Sequence, residues 1–222
     1  MSEPASGGSP FRFGMLPRVI ATVAALGLWF WTQSLIGSRA PSQGIGDALH
    51  TLFAGLNSYF GQHGPAANAL LIISSAFIDL FGLFLVGEWI FLGRSRAFLG
   101  LVLLLGLRQV MQALCALPVP PNMIWHYPGF PSLFVTYSVG NDYFFSGHTA
   151  IAVFGTMELA RLRRPWLTAF SLTVVVFEVA TVLILRAHYT MDVFAGAVTA
   201  LWVAALCESI GARIDRSLAG IK

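Results

Sequence analysis

Long apolar runs, broken only by short polar stretches, constrain this chain more than any other feature. A helix needs about 20 mostly apolar residues to cross the hydrocarbon of a bilayer. Such runs begin near Leu16, Ala66, Ala97, Asp142, Trp166 and Met191, and end near Ile36, Phe91, Leu117, Leu162, Leu185 and Ile210. Charge is scarce enough to agree: Asp, Glu, Lys and Arg make up 10% of the 222 residues, against about 25% in soluble domains. The expected fold is all-α, a polytopic membrane protein with six transmembrane helices and no separate soluble domain. The first run also fits a cleaved signal peptide, because Ser38-Arg39-Ala40 has small residues at a cleavage spacing. Its length exceeds the ~7–15 residues of a signal's apolar region, which favours a span. Cys115 and Cys207 fall in apolar runs at opposite ends of the bilayer, so no disulfide is expected.

The connections supply the topology. Residues 1–14 are rich in Ser, Gly and Pro and are expected to be disordered. Residues 15–212 would form a single membrane catalytic domain, and residues 213–222 a basic cytoplasmic tail. Between Pro41 and Gly64, Leu49, Leu52, Phe53, Leu56 and Phe60 recur at helical spacing, which predicts a short amphipathic helix at the interface. Pro118–Gly140 holds five prolines and several aromatics but no Lys or Arg, and reads as an ordered external loop or a re-entrant cap over a site. With a cytoplasmic N-terminus and alternating spans, ten of the thirteen basic residues fall inside: Arg12, Arg18, Arg94, Arg96, Arg161, Arg163, Arg164, Arg213, Arg216 and Lys222. Arg39, Arg108 and Arg186 fall in the outer half. The positive-inside rule therefore puts both termini in the cytoplasm. It also explains the net charge of +3 without nucleic acid.

That topology brings two polar stretches together on the exoplasmic (periplasmic or lumenal) side: Asp142–Thr149 and His188–Asp192. His188 and Asp192 stand four apart at the start of a helix and share a face. A carboxylate there can fix the tautomer of an imidazole and raise the basicity of its other nitrogen. His148 follows Ser146-Gly147 at the head of the fourth span, where free N–H groups suit an anion. Ser146 and Thr149 can cap that helix or donate to a phosphate oxygen. Arg186 is a candidate phosphate clamp, and Arg108 is a costly arginine inside a span. Taken singly, each is a cap, a solvated histidine or a structural bond; jointly they point to phosphoryl transfer. Two histidines and a carboxylate could also ligate a metal, but the nearby arginines would repel a cation.

Asp-Tyr-Phe-Phe-Ser-Gly-His-Thr at 142–149 and His-Tyr-Thr-Met-Asp-Val at 188–193 closely resemble the two signature motifs of the sphingomyelin synthase family. That family is a branch of the type 2 phosphatidic acid phosphatase superfamily. Leu-Pro-Val-Pro at 117–120 resembles a further motif of it. The layout, including Gly129-Phe130-Pro131-Ser132, is similar to the plant phosphatidylcholine:diacylglycerol cholinephosphotransferases too. The resemblance runs from about Arg108 to the sixth span. Three departures stand out: Gly140-Asn141 replaces the Cys-Gly before Asp142, Arg186 lies only two residues before His188, and the phosphatase lysine is missing. These weaken a phosphatase assignment more than a transferase one.

The resemblance implies that His188 attacks phosphorus to form a phosphohistidine, that Asp192 orients His188, and that His148 serves as acid and then base. It implies a phospholipid donor, a lipid-alcohol acceptor (ceramide or diacylglycerol), and no metal or organic cofactor. Arg108, Asp142, Ser146, Gly147, Thr149, Arg186 and Tyr189 would line the substrate, and an oligomer is compatible with it. Glu178 would assist, or would pair with Arg108. The paucity of basic residues suits a phosphodiester. The aromatics Trp125, Tyr127, Phe130, Phe134, Tyr137, Tyr143, Phe144 and Phe145 suit choline or an interfacial belt. The runner-up activity is a lipid phosphatase or phospholipase C-type hydrolase, and a non-catalytic lipid-binding protein is the reading outside enzymes.

Overall fold

The structure, a computed structural model, describes residues 44–137 and 143–219, together with Ile20, Val23, Ala24, Gly27, Leu28, Phe30, Trp31 and Ser34. The chain divides into two units, residues 1–46 and 47–222. In the first, the described positions from Ile20 to Ser34 are helical. The N-terminal segment 1–14, most of the first predicted span, Asp142 and residues 220–222 of the tail lie outside the described residues.

Every regular element described in the second unit is a helix: α1 (Ala48–Leu52), α2 (Ala54–Gln62), α3 (Gly64–Leu92), α4 (Ser95–Leu114), α5 (Gly147–Ala160), α6 (Pro165–Ile184) and α7 (Thr190–Ala219). Four are long and apolar enough to cross a membrane: α3, α4, α6 and α7 as far as Gly211. These match the second, third, fifth and sixth predicted spans to within a few residues.

The run predicted over 142–162 is different. It forms only α5, 14 residues long. At 1.5 Å per residue that is about 21 Å, short of the ~30 Å of bilayer hydrocarbon. The helix starts late because Ser146 is its cap, its Oγ accepting from the Thr149 N–H. It stops early because Arg163 takes a left-handed φ of 53° and Pro165 opens α6. The short helix is the centre of the bundle. It packs against α3, α4, α6 and α7, and most of its residues, including the run His148–Ala152, are buried.

The neighbours turn one face inward. On α3, Leu71, Ser74, Ser75, Ile78, Phe81, Gly82 and Leu85 are buried, a stripe with the helical period. Ile73, Leu80 and Leu83 on the other face are about half exposed, as side chains solvated by lipid are. Small residues let the bundle close up, as in membrane helices generally. A Cβ on Gly196 of α7 would sit 2.6 Å from the Ser146 carbonyl oxygen, so α7 meets the cap of α5 backbone to backbone. Gly100 of α4 and Gly155 of α5 likewise receive the rings of Phe154 and Phe81.

The amphipathic helix expected between Pro41 and Gly64 is two helices, α1 and α2, and their inward face is polar. His50 and Asn57 are buried, while Leu52 is 72% and Leu56 47% exposed. Only Leu49 and Phe53 of the predicted stripe pack inward, against Val182, Leu183, Ala187 and Val193. The inversion has a physical reason. Hydrocarbon accepts leucine but not the hydrogen-bonding groups of His50 and Asn57, which find carbonyl partners inside. The proline-rich segment after α4 is irregular over residues 115–137, and residues 138–140 of the predicted loop lie outside the described residues. Asp79 of α3 staples it, accepting from Ser132 Oγ (2.8 Å), Leu133 N (3.1 Å) and Phe134 N (3.0 Å).

Candidate active site

Both sequence motifs become helix starts. At α5, Ser146 is the cap, and Thr149 donates to its Oγ through both N (3.3 Å) and Oγ1 (3.1 Å). Ser146 and Thr149 are thus occupied with each other. Gly147 and His148, the first residues of the helix, are the ones that line a cavity.

At α7 the start is doubly capped. Asp192 sits at the third helical position, and its Oδ2 accepts from the Tyr189 N–H (2.9 Å), the return half of a capping box. The main chain of the same residue ties the two motifs together, because Ser146 N donates to the Asp192 carbonyl (3.1 Å). Asp47 serves the neighbouring position. Its Oδ2 accepts from Thr190 N (2.6 Å) and its Oδ1 from Thr190 Oγ1 (2.7 Å), while Oδ1 also caps α1 through Leu49 N and His50 N. Burial opposes ionisation of Asp47, but the bonds from Thr190 and His50 outweigh it and hold its carboxyl below the usual carboxylate range.

The turn carrying His188 follows the end of α6. Arg186 N donates to the Leu183 carbonyl and Ala187 N to that of Val182, the pattern of a Schellman motif. Arg186 holds the left-handed position at φ 56°, where glycine is usual and other residues lose about 1–2 kcal/mol. Its guanidinium offsets this by donating to the carbonyls of Pro121 (2.9 Å) and His50 (3.0 Å). Arg186 was expected as a phosphate clamp; the structure instead gives it this structural task, outside the cavity of the histidines.

That cavity has a volume of about 40 Å³ and is lined by His148, His188, Arg108, Gly147, Tyr143 and Trp125 with Phe134, Val135 and other apolar side chains. The two histidines, from separate motifs, therefore share one small space with a guanidinium. His188 is 5% exposed, and its Nδ1 lies 2.8 Å from the Tyr143 carbonyl oxygen. A carbonyl only accepts, so Nδ1 carries the proton and Nε2 the lone pair. Asp192, expected to orient this ring, comes no closer than 3.9 Å to Nδ1; the orienting group is the Tyr143 carbonyl. Asp192 is fully buried and its Oδ2 is spent on the Tyr189 N–H.

His148 meets the Trp125 indole edge-on at 5.2 Å, and its buried Nε2 has no hydrogen-bond partner among the described residues. Arg108 reaches across from α4 and donates through Nε to the Phe145 carbonyl (3.1 Å). Tyr189, expected at the substrate, is buried, stacks on His50 and donates to the Pro118 carbonyl (3.2 Å). Glu178 does not pair with Arg108: its Oε2 accepts from Ser74 Oγ on α3 (2.6 Å). Sequence reading missed Asp47, His50 and Asn57. Asp47 directly before a helical pattern was a legible cap signal.

Burial, aided by the neighbouring His148 and Arg108, pushes His188 down to about 3, with the Tyr143 bond opposing. Near pH 7 its ring is neutral and nucleophilic. An unfolded chain takes up this proton near pH 6.5; the folded chain does not until about 3. Between those values the unfolded state binds more protons, so stability should fall as pH falls from 6.5 towards 3 and be insensitive to this group above 6.5. Thermal midpoints measured against pH should show that loss, and His188→Gln should remove part of it. An equal loss in the variant would assign the acid sensitivity to other groups.

Comparison with known proteins accords with the cholinephosphotransferase side of the motif resemblance. The AtPDCT1/2 family model matches residues 47–209. The phosphatidylcholine:diacylglycerol cholinephosphotransferase 1 of Arabidopsis thaliana is 24% identical over 182 residues, which is 80% of this chain and 58% of that protein. The chain thus spans a little over half the length of that relative. No solved structure matches. With the family model running from the cap of α1 into α7 and covering both histidine motifs, the chain belongs to the AtPDCT1/2 family.

Proposed function

We propose that the chain transfers a phosphocholine-like head group from a phospholipid to a lipid alcohol through a phosphohistidine on His188. The observation that carries this reading is the shared cavity. His188 enters it with Nδ1–H held by Tyr143, and His148 and Arg108 stand in the same walls. The Nε2 lone pair attacks phosphorus, and the bond from phosphorus to the diacylglycerol oxygen breaks. Burial and the Arg108 charge disfavour the protonated form of His148 in the resting site; as the anionic phosphodiester enters, His148 takes up a proton and gives it to that oxygen. Arg108 neutralises the phosphoryl oxygens. The Tyr143 carbonyl and Asp192 favour the cationic phosphoimidazole. In the return step the acceptor hydroxyl attacks phosphorus, its proton passes to His148, and the P–N bond breaks. Both side chains are then restored. General acid–base help of this kind is worth about 10²–10⁴-fold.

Diacylglycerol is the favoured acceptor, because the Arabidopsis relative is named for it; ceramide is the other candidate. The distribution of arginines supports an exoplasmic site. Purified protein should be given phosphatidylcholine labelled in its head group, diacylglycerol with a distinguishable acyl chain, and ceramide. Label in phosphatidylcholine carrying the new acyl chain is the expected result, and label in sphingomyelin would name ceramide as acceptor. Label released only as water-soluble phosphocholine would make the protein a hydrolase and end the transfer reading.

A further inference from the structure

We infer that Asp47 and His50, the cap and the buried residue of the short helix α1, are positioning residues for the catalytic histidine. This inference rests on the proposed role of His188. Neither residue lines the cavity that the two histidines share.

Residues 185–189 are the link between α6 and α7; they carry His188, and Thr190 opens α7. Such a link is held only by what binds its main chain. The Schellman turn fixes its start and Asp192 bonds to Tyr189 N. What remains is the carbonyl of His188 itself and the Thr190 N–H, the first unpaired donor of α7. Both are taken by α1. His50 Nε2 donates to the His188 carbonyl (2.9 Å), and Asp47 receives the Thr190 N–H (2.6 Å) and hydroxyl (2.7 Å). The brace is itself anchored. Asn57 Nδ2 on α2 donates to the Ile184 (2.9 Å) and Asn122 (3.2 Å) carbonyls, Arg186 returns a bond to the His50 carbonyl (3.0 Å), and His50 stacks on Tyr189.

The arrangement sets direction as well as position. The His188 ring is aimed by a single bond, Nδ1–H to Tyr143, and that bond survives only while the backbone at 188 stays where it is. Two main-chain bonds, from His50 to the His188 carbonyl and from the Thr190 N–H to Asp47, hold that backbone, and the Thr190 hydroxyl adds a third bond to Asp47. Displacement of a reacting group by about 1 Å costs on the order of 100-fold in rate. Loss of the brace should therefore appear in turnover and not in lipid affinity.

The test compares Asp47→Ala, His50→Ala and His50→Gln, all in the full chain, by head-group transfer and by the reaction of each histidine with diethyl pyrocarbonate, located by mass spectrometry. Asp47→Ala should lower kcat by about 100-fold and His50→Ala by about 10-fold, with KM for phosphatidylcholine within about twofold. His50→Gln keeps an N–H for the His188 carbonyl and should recover most of the kcat. Carbethoxylation of His188 should rise several-fold in the alanine variants, while that of His148 should not. Unchanged kcat, or equal rises at His148 and His188 without recovery in His50→Gln, would overturn the proposal in favour of a purely structural brace. Wild-type protein that transfers nothing, but whose His188 is unmasked selectively by Asp47→Ala, would sink the transfer reading and leave the positioning role standing.

Discussion

His188→Ala is expected to lower head-group transfer by about four orders of magnitude or more, the scale seen when a covalent nucleophile is removed. The fold should survive. Among the described residues the imidazole makes one hydrogen bond, to the Tyr143 carbonyl, and such a bond is worth about 1 kcal/mol. The main-chain bonds of residue 188 do not depend on its side chain. The variant should keep a cooperative thermal transition within a few degrees of the wild type. A second readout separates covalent catalysis from electrostatics. Wild-type protein quenched in base after brief exposure to donor should carry an acid-labile phosphoryl adduct, and the variant should carry none. Persisting transfer in a folded His188→Ala protein would remove His188 as nucleophile.

His148→Ala should cost less, about 10²–10⁴-fold, because the group moves a proton and forms no bond to phosphorus. The loss should depend on the leaving group. Diacylglycerol leaves as an alkoxide unless protonated, whereas nitrophenolate leaves unaided. With nitrophenyl phosphocholine as donor, release of nitrophenolate in a pre-steady-state burst should be nearly normal in His148→Ala. Turnover to a lipid acceptor should remain slow, since the acceptor proton still lacks a base. An equal defect with both donors would make His148 a structural or electrostatic group, with its contact to Trp125 as the first place to look.

What the sequence disclosed, and what it hid, divides along one physical line. Spans were legible because an apolar run near 20 residues has few alternatives, and α3, α4, α6 and α7 lie where they were expected. The meeting of His148 and His188 was legible from topology alone. Hidden features were those in which a side chain binds backbone. Arg186 looked like a phosphate ligand and is a helix terminator fastened to two carbonyls. Asp192, four residues from His188, looked like its orienting partner. It caps α7, because a carboxylate at the third helical position reaches back to an N–H sooner than to a neighbouring ring. The stripe through Leu52 and Leu56 looked like the inner face of a helix, but in lipid the rule inverts and the polar residues mark the inside. Asp79 gave no sign that it would hold the aromatic loop, since its partners are main-chain N–H groups 54 and 55 residues downstream, which carry no pattern.

The volume of the cavity bears on how tightly any lipid is bound. At about 40 Å³ it admits a few water molecules, each needing some 10–15 Å³, and no phospholipid head group. Trp125, Phe134 and Val135 form one wall, and the main chain beneath Phe134 is pinned to Asp79. Binding therefore has to be preceded or accompanied by displacement of that wall, and the observed dissociation constant is the intrinsic one divided by the fraction of molecules in the open form. An enzyme so arranged trades affinity for reserve. Under the proposed transfer, supply of donor would then rest on the abundance of lipid in the surrounding leaflet rather than on strength of contact.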